Sequence, residues 1–289
     1  MYKIQKIGTD VEVFLRDKIT GDPVPVCGLL GGTKTEPRPV LGAKGFAVQE
    51  DNVMLEFNIP PASTAEEFQQ SLSVMLAHLK AEMAKKELDC FSVSEAIFPS
   101  SMLAEFPQAH VFGCEPDFCV WTKSVNPMPE FVRFPWGPTK TIHEFRCAGF
   151  HIHVSYTVDE EPPELSAVEA LVKAQDVFLG VPLTLRESAN GQKLRRRMAY
   201  GKAGAFRLKP YGHEYRVLGS AVLTANPALN RWIFDANQRA IDFLNNNGES
   251  GVLALDQYGK SIRAAINESH TDSIAHIMAS FTVPPMPAL

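Results

Sequence analysis

His151 and His153 stand two apart in the run GFHIHVSY. An extended strand turns alternate side chains to opposite faces, so both imidazoles share one face and Ile152 and Val154 take the other. The arrangement recurs. Asp10 and Glu12 alternate with Val11 and Val13 in GTDVEVFL, and Glu214 and Arg216 with Tyr215 and Val217 in HEYRVLGS. In DNVMLEFNI the residues Asn52, Met54, Glu56 and Asn58 share one face, opposite Val53, Leu55 and Phe57. GCEPDFCVW echoes the pattern with Glu115 and Asp117. Any one pair is what a strand with its polar face in water shows. The set differs from an ordinary solvent face, because its polar positions are short carboxylates, imidazoles and one arginine, with few lysines among them.

If these strands share a sheet, their polar faces form a floor of acids and histidines. Crowded carboxylates repel, and some take up protons unless a cation neutralises them. Oxygen-rich sites with an occasional imidazole suit Mg2+ or Mn2+. A basic run, GQKLRRRMAYGKAGAFRLKPYGHEYR, leads into the last of these strands. It carries Lys193, Arg195, Arg196, Arg197, Lys202, Arg207 and Lys209. Arginine holds phosphate through paired hydrogen bonds, so this run is expected to grip a nucleotide triphosphate, with Arg197, Arg207, Lys209 and Arg216 as the candidate contacts. The alternative is a solvated basic loop or a nucleic-acid patch. The sequence GGTK, Gly31 to Lys34, lacks the spacing of a Walker phosphate loop. There is no GxSxG elbow, and Cys147 before the HIH strand has no further sign of a nucleophile.

The elements that must position these residues follow from periodicity. Strands are expected over residues 2–15, 52–59 and 149–156, with a hairpin and a long loop across 16–48. Pro60 and Pro61 stop one strand, and a helix follows with Ser63 and Glu66 as a capping box and Phe68, Leu72, Met75, Leu76, Leu79 and Met83 on one face. A second helix is expected from Ser166 and Glu169 to near Gly180 and Pro182. A third runs from Asn226-Pro227 to Gly248, and a last one lies between Ser261 and Phe281. Hairpin-like strand pairs dominate, which predicts an α+β fold with an antiparallel or mixed sheet and helices on one side. No linker composition divides the chain, so we read residues 1–289 as one catalytic domain, with a motif-bearing core over 1–222 and a helical part over 223–289.

A formal net charge of −5 argues against nucleic acid as a partner. No apolar run has the roughly 20 residues that cross a bilayer. Five irregularly spaced cysteines without a CxxC pair suit reduced thiols, and with the absence of a signal-like N-terminal run they predict a cytoplasmic protein.

In order along the chain, Asp10-x-Glu12, Glu56, His151-x-His153 and Glu214-x-Arg216 resemble the glutamine synthetase and glutamate–cysteine ligase superfamily. The wording GTDVEVFL, GGTK, EDNVMLEFNIPPA, GCEPD, GFHIHVSY and YGHEYRVLGS looks most like its phage-encoded carboxylate–amine ligase branch, COOH-NH2 ligase type 2, over about residues 8–220. The resemblance implies a glutamine-synthetase-like catalytic domain, a curved sheet with helices on its convex side. It implies Asp10, Glu12, Glu56, His151 and Glu214 as ligands of two or three Mg2+ or Mn2+ ions. It implies that His153 contacts ATP phosphates and that Arg207 and Arg216 hold the transferred phosphoryl group. The activity implied is ATP-dependent amide formation through an acyl phosphate, with a small-molecule or peptide acid and an amine as partners, in a host cytoplasm if phage-encoded.

Asp10 stands where Glu is usual, which shortens its reach. The chain starts almost at the first motif, so the separate N-terminal domain of glutamine synthetases is expected to be absent and no dodecamer is implied. Asp117 and Glu115 are candidate bases for the amine. Rival readings are a guanidino-type phosphotransferase, which would leave a stable phosphorylated product, a metal-dependent hydrolase, which would need no ATP, and a non-catalytic binding protein.

Overall fold

A computed structural model describes residues 1–111, 117–126, 144–188 and 195–287. Its strands, in chain order, are β1 (Tyr2–Asp17), β2 (Pro23–Val24), β3 (Arg38–Pro39), β4 (Ala47–Asp51), β5 (Met54–Asn58), β6 (Leu88–Phe91) and β7 (Glu95–Ile97). After these come β8 (Phe118–Cys119), β9 (Ser124–Val125), β10 (Phe145–Cys147), β11 (Phe150–Val158), β12 (Ala205–Lys209) and β13 (Gly212–Tyr215). The main sheet runs β3-β4-β5-β1-β11-β13-β12-β8-β9, with β2 and β6 also on β1. The fold is α+β. Every strand pairing among the described residues is antiparallel, so the mixed alternative falls away.

Alternation decides which face meets the core. Val11, Val13, Leu55, Phe57, Ile152, Val154, Phe206 and Tyr215 are buried and belong to one apolar cluster with the helices. The helix Ala65–Ala84 supplies Phe68, Leu72, Met75, Leu79 and Met83 to it, at the 3.6-residue period of one helix face. No helix among the described residues is long and apolar enough to cross a membrane.

The helix ends correct the expectations in detail. The first helix is capped one residue later than expected. Thr64 accepts from the Glu67 N–H, and the Glu67 carboxylate reaches back to the Ser63 N–H at 2.8 Å. Thr64→Ala is expected to lower stability by about 1 kcal/mol, seen as a lower urea midpoint at unchanged slope. Ser166 and Glu169 form no capping box; the second helix begins at Leu165 with Glu164 before it and no side-chain cap.

That helix also does not stop near Gly180. It passes through a π turn, Asp176–Gly180, into a further helical segment, Val181–Glu187. Pro182 lacks an N–H, and at the start of a new segment that loss is harmless. Gly180 serves packing, since a Cβ there would lie 2.4 Å from the Tyr215 hydroxyl.

The third helix does start at Asn226, whose side chain accepts from Ala228 and Leu229. Its helical backbone breaks at Gly248 (φ 51°, ψ −134°) and resumes to Glu268. The expected last helix is therefore two: the end of this one, and Thr271–Ser280 beyond Ser269, which is left-handed at φ 53°.

Candidate functional site

The register sets the polar side chains in rows across the sheet. Gln49, Glu56 and Glu12 stand opposite one another on β4, β5 and β1. Asn58, Asp10 and His151 do so on β5, β1 and β11. His153, Glu214 and Arg207 form a third row on β11, β13 and β12. Most of these side chains, with Lys34, Asp51, Lys209 and Arg216, line a cavity of about 200 Å³. A larger cavity of about 710 Å³, whose lining includes Val93, Leu185, Leu229 and Met286, holds none of the row residues.

Two groups of side chains there converge as metal ligands do. Glu12, Asp51 and Glu56 each offer a carboxylate oxygen, and Asp10, His153 and Glu214 each offer one atom; within a group these atoms lie within 4.8 Å of one another. The electrostatics fit a divalent cation. Burial, with Asp51 beside it, pushes Glu12 up to about 7. Burial and then Asp10, Glu12 and Asp51 push Glu56 well above the usual carboxylate range, and burial raises Asp51 too. Three acids held together in this way share protons unless a cation replaces them.

Some hydrogen bonds already orient the first group. The Gly149 N–H donates to Glu12 at 2.5 Å, and the Gln49 amide donates to Glu56 at 2.7 Å.

The second group is arranged around Asp10. Burial works against its charge, but His153 and then the bond from His151 hold it well below the usual carboxylate range. His153 Nε2 lies 2.8 Å from Asp10 Oδ1, and its Nδ1 is 2.6 Å from the Tyr211 hydroxyl. Asp10 raises His153 against the effect of burial. His151 is pushed down to about 4 by burial and by Arg216, so its ring is neutral. Its Nδ1 stands 3.5 Å from Asp10 and 3.6 Å from Glu214. Both histidines thus face the same acids, although the resemblance gives them separate duties.

Glu214 joins acids to cations. It is 1% exposed and pairs with Arg216, with Lys209 at 3.0 Å and with Arg207 at 3.6 Å. Its Oε2 nevertheless makes no well-aligned hydrogen bond, which leaves it coordinating capacity. Arg216 Nε also donates to Asp117 at 2.6 Å. Asp117 is 5% exposed and does not line the cavity, so it orients Arg216 rather than standing where a base for the amine would. Glu115 and Lys193 lie outside the described residues, as do residues 127–143.

Arg197 is the clear departure. Its guanidinium is buried, donates to Glu187 at 2.9 Å and to the carbonyls of Gly201 and Val217, and does not line the cavity. Buried Glu187 needs a counter-charge, and the helical turn Arg196–Ala199 points Arg197 at it. Arg196 is likewise spent on the carbonyls of Val217 and Leu218, and Arg195 on Glu95. The arginine run is structural.

Asn52 departs as well. It turns the chain between β4 and β5 at φ 55°, and its amide donates to the carbonyls of Ala109 and Val111.

Sequence reasoning missed Gln49, Asp51, Tyr200 and Tyr211. The signal for the first two was present, since AVQED alternates, but the strand was begun at Asn52. GGTK, though no Walker loop, belongs to a loop that reaches the cavity. The Glu50 carboxylate accepts backbone N–H bonds from Gly28, Leu30 and Gly31, each at 2.8 Å, and this loop brings Lys34 to the cavity. Only glycine fits at position 32, where φ is +84° and a Cβ would lie 2.5 Å from the Val48 carbonyl oxygen.

Residues 132–244 match the family model described as Phage phiEco32-like COOH.NH2 ligase-type 2. The match supports an enzyme of the carboxylate–amine ligase type. It spans less than half of the chain and takes in His151, His153, Arg207, Glu214 and Arg216, while Asp10, Glu12, Asp51 and Glu56 lie before it. No curated protein matches the chain. Among solved structures, a bifunctional glutathione synthetase from Pasteurella multocida is similar at 12% identity and a TM-score of 0.42. That likeness covers 97% of this chain, which spans about half of the enzyme's length (47%).

Proposed function

We propose that the cavity activates a carboxylate with ATP and passes it to an amine, forming an amide or peptide-like bond. What carries the reading is the juxtaposition of two acid-bearing groups suited to divalent cations, all of whose members but His153 line one small cavity, with Arg207, Lys209 and Arg216 on or beside the adjoining strands. The family match over residues 132–244 supports it. The finer resemblance, to glutamine synthetases, belongs to the same proposal.

A carboxylate is a poor electrophile. Its oxygen attacks the γ-phosphorus of ATP, ADP leaves, and the acyl phosphate so formed is attacked at carbon by the amine nitrogen, which loses a proton as phosphate departs. Glu12, Asp51 and Glu56 would hold one Mg2+ or Mn2+, and Asp10, His153 and Glu214 another, with His151 Nδ1, 3.5 Å from Asp10 and 3.6 Å from Glu214, as a further ligand. Bound there, these ions supply neutralisation of the triphosphate charge. Arg207, Lys209 and Arg216 hold the phosphoryl oxygens, and Asp117 keeps Arg216 aimed. Lys34, on the loop held by Glu50, lines the cavity and offsets the charge of Asp51.

Phosphate release from Mg-ATP, measured with pools of carboxylates, amines and short peptides, tests this. Release is expected only when a carboxylate and an amine are both present, with mass spectrometry identifying an amide. A stable phosphorylated product would make the protein a phosphotransferase. Hydrolysis without ATP would make it a metallohydrolase.

A further inference from the structure

Tyr200 touches two residues of the site at once. Its hydroxyl lies 3.3 Å from His151 Nε2, and the Arg216 guanidinium stands 5.0 Å from the centre of its ring. Arg196, fully buried and tied to two carbonyls, sits 5.3 Å from the same ring centre. The ring is thus fixed by one immobile guanidinium and offered to another. We propose that Tyr200 is a positioning residue that holds His151 and Arg216 together, coupling the metal-binding part of the cavity to its phosphate-binding part.

The chemistry requires a phenol rather than an apolar ring. With its Nδ1 toward the carboxylates of Asp10 and Glu214, neutral His151 carries its proton on Nδ1 and accepts at Nε2. With Nδ1 toward a cation, it carries the proton on Nε2 and donates there. A tyrosine hydroxyl both donates and accepts, so it holds the ring in either tautomer. Partners of this kind behind a ligand histidine typically change metal affinity by about 10- to 100-fold. The ring face serves Arg216 separately, through cation–π attraction that Phe keeps and Leu loses.

Two variants of the full chain, Tyr200→Phe and Tyr200→Leu, separate the two contacts. Mn2+ affinity is read by titration calorimetry, and affinity for a non-hydrolysable ATP analogue is read beside it. Tyr200→Phe is expected to weaken Mn2+ binding about tenfold and to leave analogue binding within about twofold of the parent. Tyr200→Leu is expected to weaken both, the analogue by about fivefold. Mn2+ affinity of Tyr200→Phe within twofold of the parent overturns the proposal, as does equal analogue binding by the two variants.

Unfolding midpoints check that the variants fold, and if Tyr200→Leu does not, the Mn2+ titration of Tyr200→Phe decides. The inference rests on the ligase reading only for the identity of the nucleotide. A parent that binds Mn2+ but no ATP analogue sinks that reading, and the Phe variant together with inorganic triphosphate as the anion still decides the role of Tyr200. A parent that binds no Mn2+ overturns both.

Discussion

Replacing Glu214 by Gln is expected to reduce ATP-dependent phosphate release about a thousandfold while leaving the protein able to bind nucleotide. The two halves of that outcome come from the two sides of Glu214. Toward Asp10 and His153 it offers a charged oxygen that an amide replaces poorly as a ligand. Toward Arg216, Lys209 and Arg207 it is the shared counter-charge, and its neutralisation leaves those cations more available to a triphosphate. Turnover should therefore collapse with analogue affinity kept or improved. Removing one partner of a buried ion pair is also destabilising, so the unfolding midpoint belongs beside the kinetics. Glu214→Asp, which keeps the charge and shortens the reach, should fall between. Turnover of Glu214→Gln within tenfold of the parent would remove Glu214 from the chemistry.

The second large effect is a pH dependence of stability that a metal ion reverses. Glu12 has a folded-state pKa of about 7 against an ordinary 4.5, so the metal-free fold prefers it protonated. Its contribution is complete below about 4.5 and is lost as pH rises through 7, with a magnitude of order 3 kcal/mol. Glu56 and Asp51, also raised, act with the same sign.

His151 and His213, pushed down to about 4 and about 3, act in the opposite sense, because they resist protonation as pH falls below 6.5. The clean observable is thus the difference between Glu12→Gln and the parent. Without metal, the variant should gain on the parent steadily from pH 4.5 to 7. Saturating Mn2+ should then stabilise the parent at pH 8 more than the variant, in which only the group of Asp10, His153 and Glu214 is intact. A difference independent of pH would mean that Glu12 is charged in the metal-free fold and sits in a more polar place than its burial indicates.

Much of this site was legible because the side-chain period of a strand is two. Once Val11, Phe57, Ile152 and Tyr215 are assigned to the core, Asp10, Glu12, Glu56, His151, His153 and Glu214 must share the other face. Antiparallel pairing was also within reach, since hairpin-like pairs favour it, but the sheet order was not, because β1 beside β11 and β8 beside β12 join strands far apart in the chain. The arginine run misled because charge says nothing about direction: Arg197 is drawn inward by Glu187, a residue ten positions away with no motif of its own. Tyr200 and Tyr211 were invisible for a related reason. A tyrosine in a turn is common, and only its three-dimensional partners distinguish it. The helix ends erred by single residues where two capping candidates stood side by side, as Ser63 and Thr64 do.

The two ligand groups differ in how much chain each needs. Glu12, Asp51 and Glu56 come from β1, β4 and β5, three neighbouring strands that all lie within the first 60 residues. Asp10, His153 and Glu214 draw on β11 and β13, so that group exists only after a closure spanning some two hundred residues. The side chains of the first group are therefore made early, yet the group is finished late, because Glu12 also accepts from the Gly149 N–H. The second group, with the arginines that would grip a triphosphate, is joined only when β13 pairs with β11, so both groups wait on strands from the second half of the chain.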